Sequence, residues 1–80
     1  MYCSIISLDK VKVSAKCVVC SLLARDSDRR RLLDLGIVPG TKIEVLGKSP
    51  SGSPICYIIR GTVIALRDDD SNKIVVKVLN

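Results

Sequence analysis

The chain has 80 residues, 13 Lys and Arg against 8 Asp and Glu, a formal net charge of +5 and no histidine. A single domain is expected over residues 1–80, and a large core is excluded, because a domain this small buries only about 60% of the surface its unfolded chain exposes. With two Tyr, no Phe and no Trp, the core must be Ile, Val and Leu, and the missing histidine removes Ser–His and Cys–His catalysis.

β-Branched residues favour pleated, half-buried strands, so a β-rich fold is expected. No apolar run approaches the roughly 20 residues needed to span a bilayer. Residues 1–8 lack a basic start ahead of an apolar stretch, so no signal peptide is expected and the expected location is the cytoplasm. The basic balance favours acidic partners: nucleic acid, anionic lipid or an acidic protein face. Two tyrosines are a poor supply of stacking platforms for single-stranded nucleic acid.

Taken in order, residues 1–14 are mixed, with a turn at 7–11 that lays Leu8 and Val11 on the core. Residues 15–23 read as a first strand, with Val18, Cys20 and Leu22 on one face and Cys17, Val19 and Ser21 on the other. Residues 24–27 link it to a short helix over 28–35. Asp26 or Ser27 is the expected cap, accepting from an orphan amide. Leu32, Leu33 and Leu35 make one side of the helix apolar, with at least two of them expected in the core.

Gly36 suits the left-handed position after a last helical turn. Pro39-Gly40 fits the centre of a type II turn. Strands follow over 41–46 (Ile43 and Val45 inward), 55–60 (Ile55, Tyr57 and Ile59 on one face), 62–67 (Ile64 and Leu66 inward) and 73–79 (Ile74, Val76 and Val78 inward). A loop fills 47–54, Gly61 marks a bulge or tight corner, and 68–72 form an acidic turn. The expected fold is all-β with one short helix, a small five-stranded barrel whose closure removes free edges.

Three features invite a chemical reading. Arg29, Arg30 and Arg31 crowd the first helical turn, where the helix dipole disfavours cations. Asp26 and Asp28 offset some of that, and Arg30 with Asp34 is an i,i+4 pair worth a few tenths of a kcal/mol. A placement that local energetics disfavours points to use on a partner, since guanidinium forks bind carboxylates and phosphates. The plainer alternative is a solvated face with one stem covering the barrel.

Cysteines stand at 3, 17, 20 and 56. Cys17 and Cys20 have the spacing of half a zinc site. On a strand, however, residues three apart face opposite sides about 10 Å apart, and Val-Val is a poor turn. A four-ligand site would also need Cys3 and Cys56, so no metal is assigned, with Cys17 and Cys20 as the only candidates. Cys20 is expected to be buried, and Cys17 and Cys56 partly exposed. Asp68-Asp69-Asp70 offers oxygen ligands but lacks the spacing of a calcium loop and reads as a solvated turn. No phosphate cradle occurs in 48–54.

The block Arg29-Arg30-Arg31-Leu32-Leu33-Asp34-Leu35-Gly36-Ile37-Val38-Pro39-Gly40-Thr41 resembles the signature of the FeoA family, small cytosolic proteins of bacterial ferrous iron uptake. The proline-flanked loop 49–55, Arg60-Gly61-Thr62-Val63-Ile64-Ala65-Leu66-Arg67, the acidic 68–70 and the terminal Ile74-Val75-Val76 fall in the family's order, over roughly residues 7–79. Val13-Ser14 stands where the family usually has a glycine, and the Cys17–Cys20 pair is not a family hallmark.

The resemblance implies an SH3-like barrel with no catalytic site and no cofactor, working beside a membrane transporter that carries a cytosolic GTP-binding domain. The expected function is that of an accessory or regulatory protein, not an enzyme, docking on that GTPase domain through Arg29, Arg30, Arg31, Leu33, Asp34, Arg60 and Gly61. The membrane is reached only through the transporter, nucleic acid is not an expected partner, and a homo-oligomer is left open. The alternatives are a basic barrel that binds nucleic acid, for which a pI near 9.3 is compatible, and a cysteine-based metal-binding protein.

Overall fold

The structure is a computed structural model and describes residues 5–51 and 54–79. Its β-branched runs form β1 (Ile5–Ser7), β2 (Lys16–Leu22), β3 (Lys42–Lys48), β4 (Ile55–Ile59), β5 (Thr62–Leu66) and β6 (Ile74–Leu79). All pairs are antiparallel, in one sheet of order β1-β6-β2-β3-β4-β5. The β-rich class with one short helix is therefore observed, with six strands in place of the expected five. The added strand is β1, three residues of the stretch read as mixed, held by Ile6 opposite Val76. A 3-10 turn at Leu8–Lys10 follows and buries Leu8, with Val11 beside it in the core.

Helix α1 (Asp26–Asp34) crosses between β2 and β3. It begins two residues earlier than expected, and the expected side-chain cap is absent: Arg25 holds the N-cap position and makes no side-chain cap hydrogen bond. Asp26 lies inside the first turn with φ +55°, which takes it out of the extended conformation a capping residue adopts. The acidic turn also differs, winding into a single helical turn, α2 (Asp68–Ser71), with Ser71 buried.

The inward residues of β3, β4 and β6 are as the alternation predicts. Ile43, Val45, Ile55, Tyr57, Ile59, Ile74 and Val76 are all buried, while Val78 is half-buried at the rim. In β2 the order is different. Cys17 and Val19 are buried, Cys20 and Ser21 are exposed, and Leu22 is buried again. A register shift against β6 between Val19 and Ser21 inserts the extra residue that changes parity. Cys17 is therefore the buried thiol and Cys20 the exposed one, the reverse of the expectation. Cys56 is half-buried, as expected; Cys3 lies outside the described residues.

Candidate interaction surface on helix α1

The position of α1 is set at its C-terminal end. The amide of Gly36 donates to the Leu33 carbonyl at 2.9 Å, and that of Ile37 to the Leu32 carbonyl at 3.0 Å. This paired pattern, with Gly36 at φ +90°, is the Schellman closure. Its usual apolar contact joins the same two residues: Leu32 and Ile37 both lie in the core cluster. Val38 and Thr41 then bracket Pro39-Gly40, with the Thr41 amide donating to the Val38 carbonyl at 3.0 Å and Gly40 at φ +93°. That is the expected type II turn.

The Gly36 carbonyl collects further donors. The Thr41 hydroxyl donates to it at 3.1 Å and the Arg60 Nε at 3.2 Å. The Arg60 stem lies directly over Gly36, so a Cβ there would stand 3.1 Å from Arg60 Cδ. Arg60 and Gly61 form the two-residue loop between β4 and β5, with φ +53° and +80°. Two positive φ values in a two-residue hairpin loop are the mark of a type I′ turn. The corner read from Gly61 is thus a tight hairpin, and its arginine braces the exit of α1.

The predicted site residues divide into three groups. Arg29, Arg30, Leu33 and Asp34 line one open depression of about 560 Å³ together with Asp26. Arg29 and Arg30 are exposed and take no part in the ion pairs found among the described residues. Leu33 is half-buried against the core, presenting one edge between the charges. Arg31 turns the other way. It pairs with Asp70 of α2 and, at 3.8 Å, with Asp28, which Lys73 approaches at 3.7 Å. Ion pairing on α1 among the described residues thus runs through Arg31 and Asp28, not through the expected Arg30–Asp34 pair. Arg60 and Gly61 sit at the far end of the helix, away from its basic first turn.

Leu32 is the fully buried leucine of α1, and Leu35 is 38% exposed beside Gly36. Sequence reasoning missed a second depression of about 530 Å³ on the outer face of the sheet. Lys16, Lys42, Glu44, Ile58 and Leu79 contribute to it, together with Arg60. Its signal was present in the outward positions of β2 and β3, but the β2–β3 register was needed to bring Lys16 opposite Glu44.

The thiols do not converge. Cys17 is fully buried, its Sγ 3.5 Å from the Ile43 carbonyl, while Cys20 is exposed. Among the described residues no group of three or more Cys, Asp or Glu side chains is placed to hold a metal ion. Burial pushes the Cys17 thiol up to about 11, with the nearby Cys20 adding to the shift. A thiol held protonated in this way is a poor nucleophile and a poor ligand.

The FeoA domain family matches residues 6–78. The FeoA-like protein of Clostridium acetobutylicum is 36% identical, with a TM-score of 0.89 over 100% of this chain and 92% of that one. The FeoA protein of Chlorobium tepidum is 35% identical, with a TM-score of 0.87 over 94% of this chain and 71% of that one. FeoA of Stenotrophomonas maltophilia, a prokaryotic SH3 domain protein solved in complex with zinc, is 31% identical, with a TM-score of 0.78 over 89% and 88%. No match is found among curated proteins. With a six-stranded SH3-like sheet and a family match over residues 6–78, this chain belongs to the FeoA family.

Proposed function

We propose that this chain is a single-domain cytosolic accessory protein of ferrous iron uptake that docks on the GTP-binding domain of a membrane Fe(II) transporter. Family membership supports the iron-transport role, and the Stenotrophomonas relative is described as a candidate activating factor for bacterial ferrous iron transport. No helix among the described residues is long and apolar enough to cross a membrane, which fits a partner that works beside the transporter. The observation that carries the docking surface is on α1: Arg29 and Arg30 are exposed cations without an ion-pair partner among the described residues, set around Leu33 and Asp34.

An apolar edge flanked by two guanidinium forks fits a carboxylate-bearing protein face. Binding regulates only if one conformational state of the partner is bound more tightly than another. The reading is tested by titrating the transporter's GTP-binding domain with the chain and with Arg29→Ala/Arg30→Ala, leaving Arg31 to its ion pairs. The double variant is expected to bind at least tenfold more weakly, about 1.4 kcal/mol, with its thermal unfolding unchanged. Undiminished binding removes α1 as the surface, and no binding by the native chain removes the partner.

A further inference from the structure

β5 is an edge of the sheet: β4 pairs with one side, and among the described residues no strand pairs with the other. Natural edges are shortened, charged, bulged or broken by proline, because a row of unpaired N–H and C=O groups templates another strand. The opposite edge, β1, is three residues long. β5 is five residues, Thr-Val-Ile-Ala-Leu, without a charge or a proline, and its pairing with β4 has no register shift.

The hairpin turn fixes which way its backbone groups point. Ile59 and Thr62 flank the two-residue loop and are paired, so they exchange hydrogen bonds. The antiparallel ladder then alternates, making Tyr57–Ile64 and Ile55–Leu66 the other bonded pairs. The N–H and C=O groups of Val63 and Ala65 therefore face away from the sheet. Val63 is 61% exposed, and Ala65 is exposed with it.

We propose that β5 pairs with β5 of a second copy of this chain, antiparallel and centred on Ile64, in a twofold dimer with one sheet running through both copies. In this register Val63 lies opposite Ala65 of the partner subunit, and Ala65 opposite the partner's Val63, so all four outward groups of each strand are satisfied. Sliding toward Arg67 would call on its carbonyl, which already accepts from the amides of Asp70 and Ser71. Sliding the other way runs into the turn at Arg60-Gly61. Half-buried Ile64 meets its own counterpart on the axis, where the non-bonded spacing of about 4.5 Å brings side chains together.

The charges select the same occupant. Arg60 precedes β5, and Arg67, Asp68 and Asp69 follow it. Continued past the strand ends, the same register brings the turn that carries Arg60 in one copy beside the start of α2, at Asp68, in the other, at both ends of the pair. Arg60 donates through Nε to the Gly36 carbonyl, and neither Arg60 nor Asp68 takes part in the ion pairs among the described residues. An unrelated strand would need an acidic end and a basic end in the right order, which a second copy already carries. This surface is distinct from the basic turn of α1 and does not rest on docking to a transporter.

Sedimentation of the full chain between about 10 µM and 1 mM, with amide exchange, tests it. A concentration-dependent dimer is expected, with exchange slowed at Val63 and Ala65. Ala65→Pro removes an outward N–H and leaves the β4 ladder intact, so dimerisation should weaken at least tenfold. Arg60→Glu and Asp68→Arg each set like charges across both ends and are each expected to be monomeric where the native chain dimerises. Mixed one to one, those two variants regain both complementary contacts and should form a heterodimer. Native-like dimerisation by the proline and charge variants, or a dimer whose Val63 and Ala65 amides exchange freely, overturns the proposal. A monomer throughout with both amides in fast exchange also overturns it.

Discussion

Gly36 joins three parts of the molecule: the end of α1, the Pro39-Gly40 turn through Thr41, and the β4–β5 hairpin through Arg60. Gly36→Ala therefore meets two separate costs. Its φ of +90° disfavours any L side chain, and the new Cβ would crowd the Arg60 stem. The expected loss is about 1–2 kcal/mol, read as a lower urea midpoint with an unchanged slope. The double variant Gly36→Ala/Arg60→Ala separates the two. It opens the space but leaves the backbone strain, so stability should remain well below that of Arg60→Ala alone. Full recovery would show that crowding, not φ, is the constraint.

At the scale of the element, α1 is a helix of nine residues whose two sides do different work. One side is anchored by Leu32, 1% exposed, and by Arg31 reaching Asp70 across to α2. The other offers Arg29 and Arg30 to solvent. Leu32→Ala is expected to cost about 2–5 kcal/mol, and Arg31→Ala about 0.5–1 kcal/mol as the loss of a largely exposed pair. Arg29→Ala/Arg30→Ala should stay within about 0.5 kcal/mol, so thermal melts of the three variants rank the residues by role. The helix stop and the type II turn were legible in the sequence because their chemistry is local: a glycine at φ > 0 and a Pro-Gly pair act within five residues. The strand faces of β3, β4 and β6 were legible for the same reason. The Arg31–Asp70 pair spans 39 positions, so no local pattern could separate Arg31 from Arg29 and Arg30. The parity of β2 was hidden because its bulge exists only against β6, and the place of β5 at an edge of the sheet emerges only from the strand order.

At the scale of the whole molecule, two buried protons tie stability to alkaline pH. Burial raises the Tyr57 phenol to about 12 from 10.0, with a smaller opposing effect of Ser71 and small contributions from Asp9, Cys17 and Asp68 in the same direction as burial. The Ser71 hydroxyl donates to the Arg67 carbonyl at 3.2 Å, and Tyr57 Oη is buried with no hydrogen-bond partner among the described residues. Cys17 is raised to about 11 from 9.0. Both are acids that the folded chain keeps protonated after the unfolded chain has let go. Above pH 9 the unfolded state therefore binds fewer protons than the folded one, and stability falls as pH rises. The contribution is complete below pH 9, declines first through Cys17 between about 9 and 11, and then through Tyr57 between about 10 and 12. A shift of this size corresponds to roughly 2–3 kcal/mol per group, a large part of the stability of a small domain. Urea unfolding at pH 8, 10 and 11.5 should show the midpoint dropping at each step. Tyr57→Phe, which removes an unpartnered hydroxyl, should be close to neutral at pH 8 and should flatten the fall in the upper window. Cys17→Ala should cost stability at every pH through its cavity yet flatten the lower window. Equal alkaline slopes in the native chain and both variants would place the pH sensitivity elsewhere in the fold.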